Sequence, residues 1–394
     1  MNILYVAHYF SPNSAAGVTT REIVKMLSEK GHNVTLLAPS TYASDDSNAI
    51  VKAAFTGVPK QVARRSKPVS LAVSTLGYIS VFMSGLRLVR REGRFDVIIA
   101  QSHATHFAPL ISYVLSRIIK ASFVIKIHDF VPGSATKNKF ELLYAKMFFI
   151  VSKVVLSHAD LILSPSTEIA QLLVENKELR RPKIMVFPNT ISLKSPEASQ
   201  SSTRFPKFSK GKKTVLWIGE TVGRGLEVLL KALSFMENEN VVLVVIGMYG
   251  ENDVNLVKKL GLEGRVFFLH EVEHNLIEHF IDRADVCIGP LTSTPYTYGV
   301  LPRKVLEYMA RGKPVIAAKN TVTKDLAVNG VSAVLVDSNN EKQVASALTM
   351  LLHDVALSTK MGKEAQAIVA EKFNSEKLSE KLNNMLPSLC HCNN

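Results

Sequence analysis

Two charged residues, Lys304 and Glu307, lie three positions apart in a segment that could bind a phosphorylated ligand. Pro302 precedes them at a position typical of the first residue of a helix, and Gly312 follows at a position typical of a helix end. The free N–H groups of a helix N-terminus attract phosphate, and Lys304 would add a full positive charge there. Glu307, one turn deeper on the same face, could accept hydrogen bonds from a ribose diol.

A Lys-x-x-Glu pair alone is common on the solvated face of an ordinary amphipathic helix, which is the simpler interpretation. Here the pair is combined with Gly299, which permits a close backbone approach, and with a Gly-Lys-Pro stop at 312–314 before an apolar strand over 315–318. This combination favours a nucleotide-phosphate site over a solvated surface.

The segment 299–314 resembles the nucleotide-binding motif of the retaining, two-domain (GT-B) glycosyltransferases of family 4. It is most similar to the branch that builds bacterial O-antigens, capsules and lipopolysaccharide. The resemblance implies that Gly299, Val300, Leu301 and Glu307 bind the donor, and that Lys304 acts on its phosphates. Gly299 stands where the best-known form of the family has a further glutamate, and we interpret this as a subtype difference.

Composition sets limits on the fold and on the partners. The chain of 394 residues exceeds what one hydrophobic core usually supports, so two domains are expected. Its three cysteines favour a reducing compartment, and Cys390-His391-Cys392 lacks the second ligand pair of a metal site. The N-terminus resembles a buried strand and not a secretory signal, and no apolar stretch is long enough for a transmembrane helix. The net charge of +13 suits anionic partners such as nucleotide-sugars or phospholipids, and no nucleic-acid-binding module is present.

Apolar strand-like runs alternate with helical patterns along the whole chain, which is typical of parallel sheets covered by helices. We predict an α/β fold with an N-terminal Rossmann-like domain over 1–190 and a linker over 191–213. A C-terminal Rossmann-like domain over 214–372 follows. The resemblance implies that the two domains face a central cleft, that the first binds the acceptor and the second the nucleotide-sugar. It also implies that the last helix, within 373–394, crosses back to the first domain before a frayed tail.

Two motifs in the predicted first domain follow strands. The loop that contains Gly17 precedes a helix but lacks the three-glycine dinucleotide fingerprint, so NAD is not expected. His128 ends a buried strand, where it could donate to a sugar hydroxyl or serve as a structural helix cap. The resemblance implies that Gly17 lies against the donor or acceptor and that His128 contacts the sugar near the reacting carbon. His103 matches another strand-end histidine of the family.

The loop 218–226 opens the predicted second domain. The resemblance implies that Gly219 lies against the donor and that Arg224 binds its diphosphate. Glu220 stands where the family usually has an arginine, and a carboxylate facing a diphosphate would be repulsive. Either Glu220 turns away and Lys304 supplies the missing charge, or transfer is impaired. Val272 lies in the segment 269–272 at the end of a later strand, predicted over 266–269, where the family places the nucleotide base against the backbone.

Basic residues flank an apolar run within 58–94. This pattern suits attachment to an anionic membrane leaflet, but it also suits a core helix with a solvated basic edge. Both interpretations remain open from the sequence.

The sequence therefore predicts a metal-independent hexosyl- or N-acetylhexosaminyltransferase that uses a nucleoside diphosphate-sugar, with no other cofactor. The predicted catalytic residues are His128, Arg224 and Lys304. The expected acceptor is a lipid-linked glycan of cell-surface polysaccharide, and the expected location is cytoplasmic, at the inner leaflet of the plasma membrane. A nucleotide-sugar 2-epimerase of the same architecture and a non-catalytic nucleotide-sugar-binding subunit are the alternatives.

Overall fold

The computed structural model divides the chain into two compact units, one formed by Met1–Thr190 with Ser375–Asn394 and the other by Ile191–Asn374. It describes residues 1–7, 15–39, 50–54, 67–102, 108–128, 150–176, 183–193, 206, 211–236, 240–270, 272, 274–293 and 301–389, with backbone alone at 15–16, 39, 50–54, 67–78 and 274–275. Most of the predicted linker, 191–213, lies outside these residues, and its described parts belong to the second unit.

The first unit contains a seven-stranded parallel sheet in the order β3-β2-β1-β4-β5-β6-β7. Its strands are Asn2–Val6 (β1), Asn33–Pro39 (β2), Ile50–Ala54 (β3), Val97–Ser102 (β4), Ser122–Ile127 (β5), Leu161–Ser164 (β6) and Lys183–Val186 (β7). The central strands are continuous apolar runs because helices cover both faces of the sheet. The sequence predicts all of them except β3, an edge strand.

Helices cover the two faces of this sheet. They are Ala15–Glu29 (α1), Lys67–Glu92 (α2), Ala108–Ile119 (α3), 150–157 (α4), Thr167–Glu175 (α5) and Ser375–Met385 (α12), with a 3-10 turn over Leu386–Leu389. One face packs against α1 and α12, where Leu382 and Leu386 are fully buried. The other packs against α2 to α5. The C-terminal segment is also fixed by a hydrogen bond of 2.7 Å from Ser122 Oγ to the Leu389 carbonyl.

The second unit contains a six-stranded parallel sheet in the order β10-β9-β8-β11-β12-β13. Its strands are Lys213–Ile218 (β8), Val241–Ile246 (β9), Val266–Leu269 (β10), Val286–Ile288 (β11), Val315–Ala318 (β12) and Val334–Val336 (β13). Its helices are Leu226–Ser234 (α6), Glu251–Lys259 (α7), His274–Arg283 (α8), Arg303–Ala310 (α9), Glu341–His353 (α10) and Val355–Lys372 (α11). Apolar clusters lie on both faces, one against α8, α9 and α11, the other against α6, α7 and α10.

The helix predicted around Lys304 and Glu307 is α9. Pro302 precedes its first residue as the N-cap and does not occupy the first helical position, because its ψ of 117° is extended. Gly312 ends the helix as predicted, with a left-handed φ of +66° that favours glycine. In the described ranges, no helix combines the length and the apolar character that crossing a bilayer requires.

The end of α9 meets α11 at two glycines. A Cβ added to Gly362 would overlap the carbonyl oxygen of Gly312. The helices therefore approach so closely that only hydrogen fits at this point.

We expect Gly362→Ala to lower the free energy of unfolding by about 2 kcal/mol, since overpacking outweighs the gain of about 1 kcal/mol that helix propensity alone would give. Urea unfolding followed by circular dichroism measures this. Gly250→Ala is the control, because its added Cβ meets nothing within 4 Å. Stabilisation by Gly362→Ala would contradict the close approach.

Candidate functional site

The carboxyl ends of β8 and β9 meet at two glycines. Gly219 has a left-handed φ of +102°, and its N–H donates to the Ile246 carbonyl at 2.7 Å. A Cβ on Gly247 would lie only 2.7 Å from the Gly219 carbonyl oxygen. The two strand ends can therefore approach only without side chains, which leaves bare backbone at this edge of the sheet.

The loop between β8 and α6 is held from both sides. Thr221 Oγ1 donates to Asp253 Oδ2 at 2.8 Å, and the N–H of Leu291 donates to the Arg224 carbonyl at 2.9 Å. The side chain of Arg224 is half-buried, whereas Glu220 is exposed. The backbone on either side of these two charges is thus fixed before any ligand arrives.

Lys304 reaches from the first turn of α9 towards this loop. Its Nζ lies 4.3 Å from the centroid of the Trp217 ring, over the ring face, where a cation is attracted by the π electrons. An ideal Cβ on Gly219 would lie 3.6 Å from the same nitrogen. Nζ is buried, and it has no hydrogen-bond partner in the part of the chain that the structure describes. A bound anion would stabilise a buried ammonium of this kind.

The charge of Lys304 is sensitive to its surroundings. The pKa of Lys304 is lowered to about 7, chiefly by burial and in addition by the positive charge of Arg224, while Glu220 acts in the opposite direction. These three side chains therefore form one electrostatic cluster at the carboxyl edge of the sheet. An anion bound between the two cations would favour the charged form of Lys304.

Glu307 is buried in α9 and forms an ion pair that the sequence interpretation missed. Arg303 Nε donates to Glu307 Oε1 at 2.8 Å, and both side chains are buried. Their spacing of one helical turn is compatible with an ion pair and is visible in the sequence.

Tyr308, the residue after Glu307, fixes α9 to the end of β8. Its hydroxyl accepts a hydrogen bond of 3.0 Å from the Ile218 N–H. Burial raises the pKa of Tyr308 well above its ordinary value, so this hydroxyl stays neutral.

Two aromatic rings stack at the neighbouring strand ends. Tyr249, beyond β9, and His270, beyond β10, have ring centroids 5.2 Å apart and ring planes inclined by 18°. They form a partly exposed flat surface on the same edge of the sheet as Gly219.

The predicted site residues fall into three groups. Gly219, Arg224, Lys304 and Glu307 lie at the carboxyl edge of the second sheet or in the first turns of α9. Leu301 belongs to the buried apolar cluster of the second unit, and Val272 packs against that cluster. Because both side chains are engaged in packing, we expect these two residues to contact a ligand only through their backbone. Gly17, in α1, and His128, directly after β5, are buried in the first unit. Gly299, Val300 and His103 lie outside the described residues.

The most informative residue missed from the sequence is Trp217, the only tryptophan of the chain. It is fully buried near the end of β8, directly under Lys304. Its position two residues before Gly219 could have suggested a role at the strand end. Among the described residues, no three His, Cys, Asp or Glu side chains are grouped as they would be around a metal ion.

Two family models match consecutive parts of the chain. Residues 16–195 match the model of Glycosyltransferase Family 4, and residues 199–386 match the model of Glycosyl transferases group 1. The two matches together cover most of the sequence. The chain therefore belongs to the family 4 glycosyltransferases with the two-domain GT-B fold.

Individual proteins support this assignment. The uncharacterized glycosyltransferase MJ1069 of Methanocaldococcus jannaschii is 22% identical over 251 residues, which span 62% of each chain and so less than two thirds of that relative. Sucrose-phosphate synthase from Thermosynechococcus elongatus has a TM-score of 0.76 at 16% identity, with 98% of both chains covered. Anabaena Alr3699/HepE, solved in complex with UDP-glucose, has a TM-score of 0.74 at 18% identity over 98% of this chain and all of that one. At these identities the structural likeness shows the fold.

The pKa of Lys304 predicts how the affinity for a diphosphate ligand, with UDP as the probe, would depend on pH. The free ammonium loses its proton above about pH 7, whereas a bound diphosphate would keep it charged. Binding then takes up a proton, so the dissociation constant should rise by nearly tenfold for each pH unit between about pH 7 and about pH 9. Isothermal titration calorimetry in buffers of different ionisation enthalpy measures both the constant and the proton uptake.

Lys304→Met should bind UDP weakly and with little pH dependence over this range, and Lys342→Met, on the exposed surface of α10, should behave as the unaltered protein. Equal pH dependence in Lys304→Met and the unaltered protein would exclude Lys304 as the titrating group.

Proposed function

We propose that the protein is a retaining glycosyltransferase that transfers a sugar from a nucleoside diphosphate-sugar to a hydroxyl. The observation that carries the proposal is the buried ammonium of Lys304 at the carboxyl edge of the second sheet. Open α/β sheets bind ligands at this edge. A phosphate is the ligand group that would best supply hydrogen bonds and negative charge to this ammonium.

The leaving group is the nucleoside diphosphate, and its charge increases as the bond to the sugar breaks. We propose that this charge develops beside Arg224, Lys304 and the first free N–H groups of α9. Fixed cations and amides stabilise such a charge without reorganisation during the reaction. We propose that they perform the role that a divalent metal has in other transferases, so that transfer requires no metal and no further cofactor.

Glu220 bears on whether this site is active. Its side chain is exposed, and its only charge effect on Lys304 favours the ammonium form. We therefore favour the arrangement in which Glu220 turns to solvent and Lys304 supplies the positive charge that the missing arginine would have given.

The proposed chemistry needs no protein nucleophile. The acceptor hydroxyl attacks the anomeric carbon on the face from which the diphosphate departs, and the departing phosphate oxygen takes the proton of that hydroxyl. The new glycosidic bond then keeps the anomeric configuration. His128, in the first unit, is proposed to hold a sugar hydroxyl near the reacting carbon and not to form a bond.

The donor and acceptor classes are also proposals. HepE binds UDP-glucose, so a UDP-hexose or UDP-N-acetylhexosamine is the first donor to test. The base is proposed to lie against the backbone near Val272, beside the stacked rings of Tyr249 and His270. We propose a lipid-linked glycan of cell-surface polysaccharide as the acceptor, used at the cytoplasmic face of the plasma membrane.

Removing one cation should slow transfer more than it weakens binding. We expect Arg224→Ala to lower kcat by about 100-fold, with a smaller change in the dissociation constant for UDP, because the interaction strengthens as the leaving group gains charge. The measurement is UDP release from a panel of UDP-hexoses and UDP-N-acetylhexosamines, with membranes of the source organism as acceptor.

Lys231→Ala, in the last turn of α6 and exposed, is the matched control. Equal losses of affinity and turnover in Arg224→Ala would contradict its assignment to the leaving group. Conversion of a UDP-sugar to its 2-epimer without acceptor would identify an epimerase instead, and tight binding with no transfer would identify a binding subunit.

Glu307→Ala should lower the free energy of unfolding by about 3 kcal/mol, because it removes a partner of the buried Arg303 charge. Arg303→Met/Glu307→Ala should recover much of that stability, since both members of the pair are gone. If Glu307 binds the ribose diol, the double variant should still bind UDP weakly and should no longer prefer UDP to 2′-deoxy-UDP. If the double variant regains stability and also prefers UDP to 2′-deoxy-UDP, Glu307 has a structural role only. Thermal unfolding and calorimetry provide the two readouts.

A further inference from the structure

The outer side of three helices in the first unit exposes several large apolar side chains. Ile79 and Met83 on α2, Ile118 on α3 and Ile150 on α4 are 54%, 45%, 56% and 62% exposed. Val114 on α3 and Val154 on α4 are also exposed. The inner sides of the same helices pack against the sheet. An exposed apolar set of this kind marks an interaction surface.

The three helices form one continuous layer. A Cβ added to Gly85 on α2 would lie 2.6 Å from Leu115 Cδ1 on α3, so the Leu115 side chain packs directly against the backbone of α2. On the other side of α3, Arg117 Nη2 donates to the His158 carbonyl at 2.9 Å, just beyond α4. The exposed apolar residues of α2, α3 and α4 therefore belong to one surface, which we name the α2–α4 face.

Basic residues accompany the apolar ones on this face. On α2, Ile79, Met83, Arg87 and Arg90 follow one another at helical spacing and are all exposed, so a single stripe changes from apolar to basic along the helix. Arg117 and Lys120, in and after α3, are exposed beside Ile118.

The acidic residues of the same elements do not offset this charge. Asp96 accepts a hydrogen bond from the Asn2 N–H at 2.8 Å, and Asp160 accepts one from the Phe123 N–H at 2.7 Å. Glu92 is half-buried. No exposed carboxylate occurs in the described residues 79–102, 108–128 and 150–160. The complementary partner is thus an anionic surface with an apolar interior.

We propose that the α2–α4 face docks the protein on an anionic phospholipid bilayer. Ile79, Met83 and Ile118 would insert at the level of the acyl-chain boundary, and Arg87, Arg90 and Lys120 would lie among the phosphates. The helices would lie in the plane of the interface, the usual geometry for helices with one apolar and one basic part. The inference extends the membrane interpretation of 58–94 to α3 and α4, which the sequence did not suggest.

Vesicle co-sedimentation tests the proposal without any donor, so that its failure would leave the nucleotide site untouched. The protein should bind vesicles of equal parts phosphatidylcholine and phosphatidylglycerol, should stay in solution with phosphatidylcholine alone, and should be released by salt. Ile79→Ser/Ile118→Ser should reduce the partition coefficient by at least about tenfold. Arg87→Gln/Arg90→Gln should reduce it by about fivefold for each arginine.

Matched controls come from the second unit. Val328→Ser/Val331→Ser replaces equally exposed apolar residues, and Lys258→Gln/Lys259→Gln removes two exposed charges. Both should bind vesicles as the unaltered protein does. Absence of vesicle binding, or equal losses in the controls, would overturn the proposal. So would a dimer in analytical ultracentrifugation that Ile79→Ser/Ile118→Ser dissociates, because the face would then bind a second copy of the chain.

Discussion

The proposed site depends on one buried ammonium group that lies over an aromatic ring and makes no ion pair with a carboxylate of the described residues. Lys304 places Nζ over the Trp217 ring at the end of β8, buried and without a hydrogen-bond partner among the described residues. Such a position is costly, because burial favours the neutral amine. The ring face offsets part of that cost, and a phosphate would offset the rest. The proposed site would therefore favour an anion as its ligand.

The surrounding fold keeps this charge in place. Tyr308 ties α9 to the last residue of β8, and the Arg303–Glu307 pair stabilises the first turns of the same helix. Gly219 and Gly247 remove side chains from the strand ends, so that a ligand can reach the backbone beside Lys304. Each of these features, taken separately, shapes only its local part of the structure. Together they position one cation, one helix N-terminus and one bare sheet edge at the same point.

Much of this organisation could be predicted from the sequence, because it follows from local patterns. Buried parallel strands are continuous apolar runs, and Gly312 marks a left-handed helix end, so both were recognised. The edge strand β3 does not stand out in the sequence, because two of its five residues are alanines, which are depleted in strands. The sequence predicts Pro302 at the first helical position, whereas the structure has it as the N-cap, because its φ fits both positions and only ψ separates them.

The contacts that define the site could not be predicted, because they join distant parts of the chain. Nothing local indicates that Trp217 lies under Lys304 or that Tyr308 receives the Ile218 N–H. The spacing of Arg303 and Glu307 is compatible with an ion pair, but the family motif assigns Glu307 to a ligand instead. The exposed apolar side chains of α3 and α4 form one surface only because the helices pack side by side, which no local pattern predicts.

A crystal structure of the protein with UDP would show whether Lys304 binds the diphosphate. We expect the diphosphate at the carboxyl end of β8, with an oxygen within hydrogen-bond distance, about 3 Å, of Lys304 Nζ and another near Arg224. UDP bound elsewhere, or bound at this edge while Lys304 stays on Trp217 without touching a phosphate oxygen, would contradict this expectation.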